Sequence, residues 1–350
     1  FPSVTSSGSA GRTYSEDMRG DFSSTNSFRL GLDASWELDL FGGVKRSIEA
    51  ADANIEVTEE SYRDALVSLL AEVALNYIEV RSYQAQLQVA ESNLQSQEET
   101  YDITNWRYQA GLTTELDVEN ASKNLEQTRA QVPSLKSSLE QAKNRIAVLL
   151  GSGPGAVDSE LEEYKPVPVA PDEIALGIPA DLLRRRPDLR KAERELAAQT
   201  AKIGVAEAER YPRITLSGNI GLSALSLGDL LDTDSLGTGA SSGISWPVYD
   251  AGRIMKNIGI QYAAQEQKLI AYKAAILTAL EDVENAMTSY THDLARRESL
   301  VKASDAARMA AETSRAQYLS GLIDFQSVLE AESTLLTYQN NVVQSDAQII

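Results

Sequence analysis

Two long helical patterns constrain the fold more than any other feature of this sequence. From Gly42 to Tyr108, and again from Gly252 to Tyr318, the chain contains no proline. Apolar residues in both runs recur three and four positions apart, which is typical of helices that pack side by side. A continuous helix of this length is a rod of roughly 100 Å. Such rods do not fit a compact domain, so we expect them to pack on each other and on helices of other chains.

Both helical patterns belong to a larger repeat with a single offset of 210 positions. The offset aligns residues that punctuate structure: Pro2 with Pro212, Trp36 with Trp246, Gly42 with Gly252, and Gly111 with Gly321. We therefore predict a first repeat at 1–140, a connecting equatorial segment and helix at 141–210, and a second repeat at 211–350. Because 141–210 has no counterpart after the second repeat, we expect both chain ends to be truncated.

Each repeat opens with two strand-like segments joined by a polar connection. In the first repeat the strands are at 1–10 and 27–36, with the connection at 11–26. In the second they are at 211–223 and 239–246, with the connection at 226–242. Apolar residues alternate at Phe28, Leu30, Leu32, Ala34 and Trp36, which indicates a half-exposed strand. The segments approach the roughly 9–11 residues with which a tilted strand spans a bilayer. Periodicity alone does not distinguish membrane-spanning strands from a soluble hairpin on a small sheet, and it favours neither.

A glycine interrupts each helical pattern, in RYQAGLTTELDV (107–118) and in QYLSGLIDFQSV (317–328). Glycine supplies the left-handed conformation that ends a helix, and Thr or Asp just beyond it can cap the next one. We expect Gly111 and Gly321 to lie at a reversal or a kink between two helices, with the second helices at 113–150 and 322–350.

Composition excludes several classes of function. The net charge of −19 argues against nucleic acid or anionic lipid headgroups as the main partner. The absence of cysteine excludes disulfides, thiolate metal sites and cysteine catalysis. The single histidine, His292, is expected on a helix surface, and Glu281, Asp282 and Glu284 splay around a helix. We predict neither an enzyme nor a bound cofactor or metal, and no apolar run is long enough for a transmembrane helix.

The segment IPADLLRRRPDLRKAERELAAQTAKIGVAEAERYPRITLSG (178–218) carries the most specific motif, in Leu183–Asp188, Ala192–Glu193 and Tyr211–Pro212. It resembles the TolC-like outer-membrane factors, the exit ducts of tripartite efflux pumps. The branch that works with resistance-nodulation-division (RND) pumps, often outer-membrane lipoproteins, is most similar. Trp246–Arg253 is similar to the strand-to-helix junction of that family, and Tyr108–Leu112 to its helix-turn signature.

The resemblance implies a homotrimer that is mainly α with a transmembrane β part. Open sheet edges cannot exist in lipid, so three chains of four strands would close one 12-stranded β-barrel. The long helices would form an α-barrel across the periplasm, with 151–190 in a belt around it. The implied partners are outer-membrane lipid, a periplasmic adaptor (membrane fusion) protein and an inner-membrane RND transporter, without nucleic acid. The implied localisation is the outer membrane, extending into the periplasm.

The resemblance also implies roles for residues near the two glycines. Asp117, Tyr318 and Glu330 match positions that narrow the periplasmic end of the duct. Ile323 stands where some members place a basic residue, so Asp324 is expected to contribute a carboxylate ring instead. The tips at Gly111, Leu112, Gly321 and Leu322 would dock the adaptor. A solvated helix end remains the alternative for each gate residue.

Two further groups have competing interpretations. Trp36 and Trp246 match an aromatic belt near the inner of the two membrane–water interfaces, with simple core packing as the alternative. Arg184, Arg185 and Arg186 could bind an anion, but a basic turn that docks on an acidic belt is favoured. Pro187 suits the first turn of the helix that follows.

The sequence therefore favours a passive, trimeric exit duct for an RND-type efflux pump, opened at its tip by an adaptor. The same fold could instead serve type I protein secretion. A hypothesis of another class is a soluble coiled-coil scaffold without a pore, which the paired hairpins disfavour.

Overall fold

The computed structural model describes residues 2–16, 22–169 and 183–350. Parts of the predicted polar connection (17–21), of the predicted belt (170–182) and of the 178–218 motif lie outside the described residues. In chain order the elements are β1 (Ser3–Glu16), β2 (Phe22–Leu38), α1 (Gly43–Gln109), α2 (Glu115–Leu149), α3 (Asp158–Leu161), α4 (Pro187–Ala208), β3 (Arg213–Ala224), a 3₁₀ turn (Thr233–Ser235), β4 (Leu236–Ser245), α5 (Arg253–Leu319) and α6 (Phe325–Gln348).

The helices follow the sequence prediction closely. Helices α1 and α5 each contain 67 residues, and their starts at Gly43 and Arg253 are 210 positions apart (253 − 43). The starts of α2 and α6 keep the same spacing (325 − 115). Helix α2 continues through Pro133, and α4 begins at Pro187, where a missing N–H costs no hydrogen bond.

The strands form one antiparallel sheet in the order β1-β2-β3-β4. In the first repeat they are longer than predicted, with 14 residues in β1 and 17 in β2. The expectation of a polar connection was wrong for 11–16 and 22–26, which pair with each other up to Glu16 and Phe22. Ladder hydrogen bonds form between backbone groups whatever the side chains are, so polar strand ends leave little hydropathy signal.

The pairing register gives the sheet one apolar and one polar face. Paired residues of antiparallel strands point to the same side. One side carries Val4, Leu30, Leu32, Trp36, Leu216, Ile220, Leu222, Leu236 and Ile244. The other carries Arg29, Asp33, Ser35, Ser217 and Asn219. Eight of these nine side chains are exposed, including Ile220 at 48% and Ile244 at 73%, and Leu222 is half-buried, so the described part of the chain leaves most of this face uncovered.

The chain divides into two compact units. The first comprises Phe1–Ser61 and Pro187–Ile276, and it contains the sheet, α4 and the first parts of α1 and α5. Its core joins α4 to α5 through Ala206, Ile254 and Ile258. Ion pairs across this unit join Arg194 to Glu56 and Lys268 to Glu195.

The second unit comprises Tyr62–Arg186 and Leu277–Ile350. Within it α1 and α2 run antiparallel, with ion pairs Glu98–Arg129 and Glu72–Arg145 along the contact. Val80 packs with α2 residues such as Ile146, and with Val157 and Leu161. Each unit contains segments of both repeats. The two units therefore do not correspond to the two repeats predicted from sequence, which are defined by position along the chain.

None of the described helices is both long enough and apolar enough to cross a membrane.

Candidate functional site

The two helical turns of the second unit have the same backbone. In the first, the N–H of Leu112 donates to the Arg107 carbonyl (2.8 Å) and that of Gly111 to the Tyr108 carbonyl (2.9 Å). In the second, Leu322 donates to Gln317 and Gly321 to Tyr318, each at 2.9 Å. This is the Schellman motif, which satisfies the last carbonyls of a helix and requires a left-handed residue. Gly111 (φ 76°) and Gly321 (φ 74°) supply it, as the sequence predicted.

Asp117 is the centre of a local hydrogen-bond network. Its Oδ2 accepts bonds from Thr113 Oγ1 (2.6 Å), Thr114 Oγ1 (2.8 Å) and the Thr114 N–H (3.1 Å). The N–H of Asp117 donates to Thr114 Oγ1 (3.3 Å), which completes a capping box at the start of α2. Partial burial raises the pKa of Asp117, but the hydrogen bonds from Thr113 and Thr114 outweigh it and leave the pKa below its usual value.

Asp324 caps the helix after the second turn. Its Oδ1 accepts bonds from Ser327 Oγ (2.6 Å) and the Ser327 N–H (3.0 Å). These bonds lower the pKa of Asp324, and the nearby charge of Asp117 opposes them. The two carboxylates therefore lie close enough to repel each other, and the two turns lie side by side.

An apolar cluster lies beneath the turns. Tyr318, Phe325, Val328 and Leu329 are buried with Ala121 of α2. The rings of Tyr318 and Phe325 are 5.2 Å apart. The Tyr318 side chain, predicted at a constriction, is thus part of the packing in the single chain.

Arg107 joins the two turns, and sequence analysis did not single it out. Its guanidinium lies 4.7 Å from the centre of the Tyr318 ring, and its Nη1 donates to the Leu319 carbonyl at 3.3 Å. A cation over an aromatic ring is attracted to its negative face. Arg107 therefore links the end of α1 to the end of α5.

Glu332 is the other residue that sequence analysis missed. Its side chain is buried, and its Oε1 accepts a hydrogen bond from Thr100 Oγ1 of α1 at 2.8 Å. Burial raises the pKa of Glu332 above its usual value, although the bond from Thr100 and the charge of Arg315 oppose the rise. Glu332 Oε2 and Gln97 Oε1 are buried without a hydrogen-bond donor among the described residues. Helical periodicity could have placed Glu332 on the Leu329–Leu336 face, but not opposite Thr100.

The remaining tip residues point to solvent. Leu112 is 67% and Leu322 75% exposed. Glu330, the fourth predicted gate residue, is exposed on α6 without a hydrogen bond to a described residue. The structure thus brings Asp117, Asp324 and Tyr318 together and leaves Glu330 on the surface.

The other predicted residues have definite surroundings. Trp36 and Trp246 are 46% and 56% exposed, so neither is buried within the described single chain. Arg186 pairs with Asp282 of α5 at 2.9 Å. His292 is exposed. Within 2–16, 22–169 and 183–350, no group of three or more His, Asp or Glu side chains could hold a metal ion.

A four-stranded sheet with one exposed apolar face, joined to long helices that reverse at capped turns, is the architecture of outer-membrane efflux channels. A family model described as "Outer membrane efflux protein" matches residues 1–152 and 178–350, so the chain belongs to that family. The localisation in the outer membrane and the assignment as a transport protein, not an enzyme, are confirmed by this membership.

Individual proteins are also similar to this chain. "Nodulation protein T" of Rhizobium leguminosarum bv. viciae is 33% identical over 343 residues, which is 94% of this chain and 68% of that protein. "Cation efflux system protein CusC" of Escherichia coli O6:H1 is 30% identical over 353 residues, 98% of this chain and 74% of that protein. The solved structure of "the outer-membrane channel OprN" superposes with a TM-score of 0.94 at 36% identity, covering 100% of this chain and 79% of that one. The predicted fold of the chain, mainly helical with a four-stranded antiparallel sheet, is confirmed.

Proposed function

We propose that three copies of this chain form the exit duct of a tripartite RND-type efflux pump, a passive channel opened at its two turns by an adaptor protein. The observation that carries the proposal is the sheet, which has an exposed apolar face and two outer strands. The family and the efflux proteins among its relatives support the pathway.

The sheet suits a barrel shared between chains. Strands β1 and β4 are the outer strands, and each has one edge without a partner strand among the described residues. In lipid an unpaired edge leaves backbone N–H and C=O groups without hydrogen bonds. Pairing β4 of one chain with β1 of the next would satisfy them, and three chains would give twelve strands. The apolar face would meet lipid and the polar face would line the lumen.

The two turns suit a gate at the periplasmic end. Asp117 and Asp324 place negative charge side by side, and threefold repetition would form a ring that favours cations. Leu112 and Leu322 are exposed beside the two glycines, where apolar groups of an adaptor could cover them. The duct has no energy source of its own in this proposal, so an inner-membrane RND transporter would drive transport.

Planar-bilayer recording of the purified full-length trimer tests the channel. We expect discrete conductance steps with a preference for cations. A trimer that inserts but conducts no ions would contradict the proposal.

Deletion of the gene tests the pathway. We expect increased sensitivity to drugs, solvents or metal ions, restored by the wild-type gene. Unchanged sensitivity with loss of a secreted protein would instead assign the channel to type I secretion.

A further inference from the structure

A basic cavity lies in the first unit, where the strands meet the helices. It has a volume of about 440 Å³ and is bordered by Phe41 and Lys45–Arg46 on one side and by Gly204, Glu207 and Arg210–Tyr211 on the other. Three cations thus surround one space in a chain whose net charge is −19. A cluster of positive side chains in such an acidic protein suggests that they bind a negatively charged group.

Two of the cations are available to a ligand. Among the described residues, no acceptor or carboxylate pairs with Lys45 or with the Arg210 guanidinium. Arg46 is shared, because its Nη1 donates to Glu49 at 2.6 Å. The stem of Arg46 lies against Gly204, where a Cβ would come within 2.8 Å of its Cγ.

Two acidic side chains in or beside the cavity already have partners. Glu207 Oε1 accepts a hydrogen bond from the Tyr262 hydroxyl at 3.0 Å. Asp39 caps α1 by accepting bonds from the Val44 and Lys45 N–H groups, at 3.0 and 2.7 Å. Because Asp39 occupies these N–H groups, the helix end itself cannot hold an anion. A ligand would be held by the side chains of Lys45, Arg46 and Arg210.

Aromatic residues of the kind enriched at membrane–water interfaces cluster at the same place. The rings of Phe41 and Tyr211 are stacked 4.6 Å apart, and Trp246 Nε1 donates to the Arg210 carbonyl at 3.0 Å. Tyrosine and tryptophan are enriched at the level of lipid headgroups. The apolar face of the sheet ends nearby, at the paired residues Leu38 and Ile214.

We propose that this cavity binds the phosphate of a phospholipid headgroup from the inner leaflet of the outer membrane. Lys45 and Arg210 would contact the phosphate oxygens, with Arg46 at the rim and the Phe41–Tyr211 stack beside the glycerol. A lipid is favoured over free phosphate because Phe41 of the cavity follows three residues after Leu38, where the apolar face on which acyl chains would lie ends. The inference rests on the proposed placement of the sheet in the bilayer.

Native mass spectrometry of the full-length trimer tests the site. The probes are phosphatidylglycerol, a digalactosyl diacylglycerol without phosphate, and inorganic phosphate. We expect retention of phosphatidylglycerol alone, and retention weakened by about tenfold or more in K45Q/R210Q, because each charge-assisted hydrogen bond contributes substantially. The matched control K202Q/K273Q removes the same charge at exposed lysines that do not border the cavity.

The proposal would be overturned by equal loss in both double variants, by equal retention of the galactolipid, or by full competition by inorganic phosphate. Single-channel recording of the same preparations separates this inference from the proposed function. K45Q/R210Q should conduct like the wild type while it loses the lipid. A conducting wild-type trimer that retains no phosphatidylglycerol overturns the lipid site alone.

Discussion

Single carboxylates near the turns serve two purposes at once. Asp324 is the N-cap of α6, Asp117 is the N3 residue of the capping box of α2, and together they place like charges side by side. A side chain that makes hydrogen bonds within its own chain is held in one orientation. The capping bonds therefore fix where the negative charge of the proposed gate lies.

Replacement of Asp117 tests this double role. Asp117→Ala removes the charge and the bonds from Thr113 and Thr114 but leaves Thr114 as the N-cap of α2, so the stability loss should stay below the roughly 1 kcal/mol of a lost N-cap. We expect a higher resting conductance in planar bilayers. Glu119→Ala, which removes an exposed charge two residues further along α2, should leave the conductance unchanged. Equal conductance of Asp117→Ala and the wild type would remove Asp117 from the gate.

Glu332 makes the packing of the second unit dependent on pH. Its pKa in the folded chain lies above the ordinary value of 4.5, so the folded state binds the proton more tightly than the unfolded state does. The stabilisation is complete below the unfolded pKa and is lost as pH rises through the folded pKa. The surrounding charges are Arg308, Glu312 and Arg315 of α5, with Glu99 of α1 paired to Arg315.

Hydrogen exchange checks this sign. Amides of α1 near Thr100 should exchange faster as pH rises above 4.5, after correction for intrinsic exchange, in the wild type. Glu332→Gln keeps an acceptor for Thr100 and cannot ionise, so its protection should vary less with pH. Glu330→Gln, on the exposed face of α6, is the control and should behave like the wild type. An identical pH profile for Glu332→Gln would show that Glu332 is not the titrating group.

The elements were the part of the structure most accessible from sequence. The boundaries of α1 and α5 follow from the absence of proline and from the glycines that end them. Strand ends at 11–16 and 22–26 were missed, because polar residues there pair through the backbone alone. The capping box at Thr114 and Asp117 has a recognisable spacing. The Thr100–Glu332 contact joins positions far apart in sequence, and a helical pattern does not specify which helix lies opposite.

The turn glycines provide a test at the level of the element. In Gly321→Ala, the added Cβ meets no atom within 4 Å, so the cost is conformational and about 1–2 kcal/mol. Gly259→Ala lies inside α5 with equally open surroundings and should stabilise by about 0.4–1 kcal/mol. Denaturant unfolding of the detergent-solubilised protein measures both. Stabilisation by both substitutions would contradict the left-handed assignment at Gly321.

At the scale of the whole molecule, the two faces of the sheet decide where the chain resides. The register places Ile220 on the apolar face beside Leu32, and the adjacent Asn219 on the polar face beside Asp33. A hairpin in water would tolerate polar substitutions on either exposed face. A membrane sheet tolerates them on one face only.

Charge placed on each face distinguishes these cases. Ile220→Arg should destabilise the assembled protein by about 2–4 kcal/mol, as expected for a charge facing the middle of a bilayer. Asn219→Arg puts the same side chain on the polar face and should have a small effect. Trimer yield from reconstituted membranes measures both. Equal yields for the two variants would argue against a lipid-facing sheet.

The two outer strands of the sheet also make a newly made chain prone to aggregation before it assembles. Until β1 and β4 find partners, their unpaired backbone edges can recruit any extended segment, and the bare apolar face favours the same error. The hazardous species is then the lone subunit, and its danger ends when neighbouring copies close on both sides. Expression faster than assembly should therefore produce aggregates, and quality control in the cell should act on the unassembled chain.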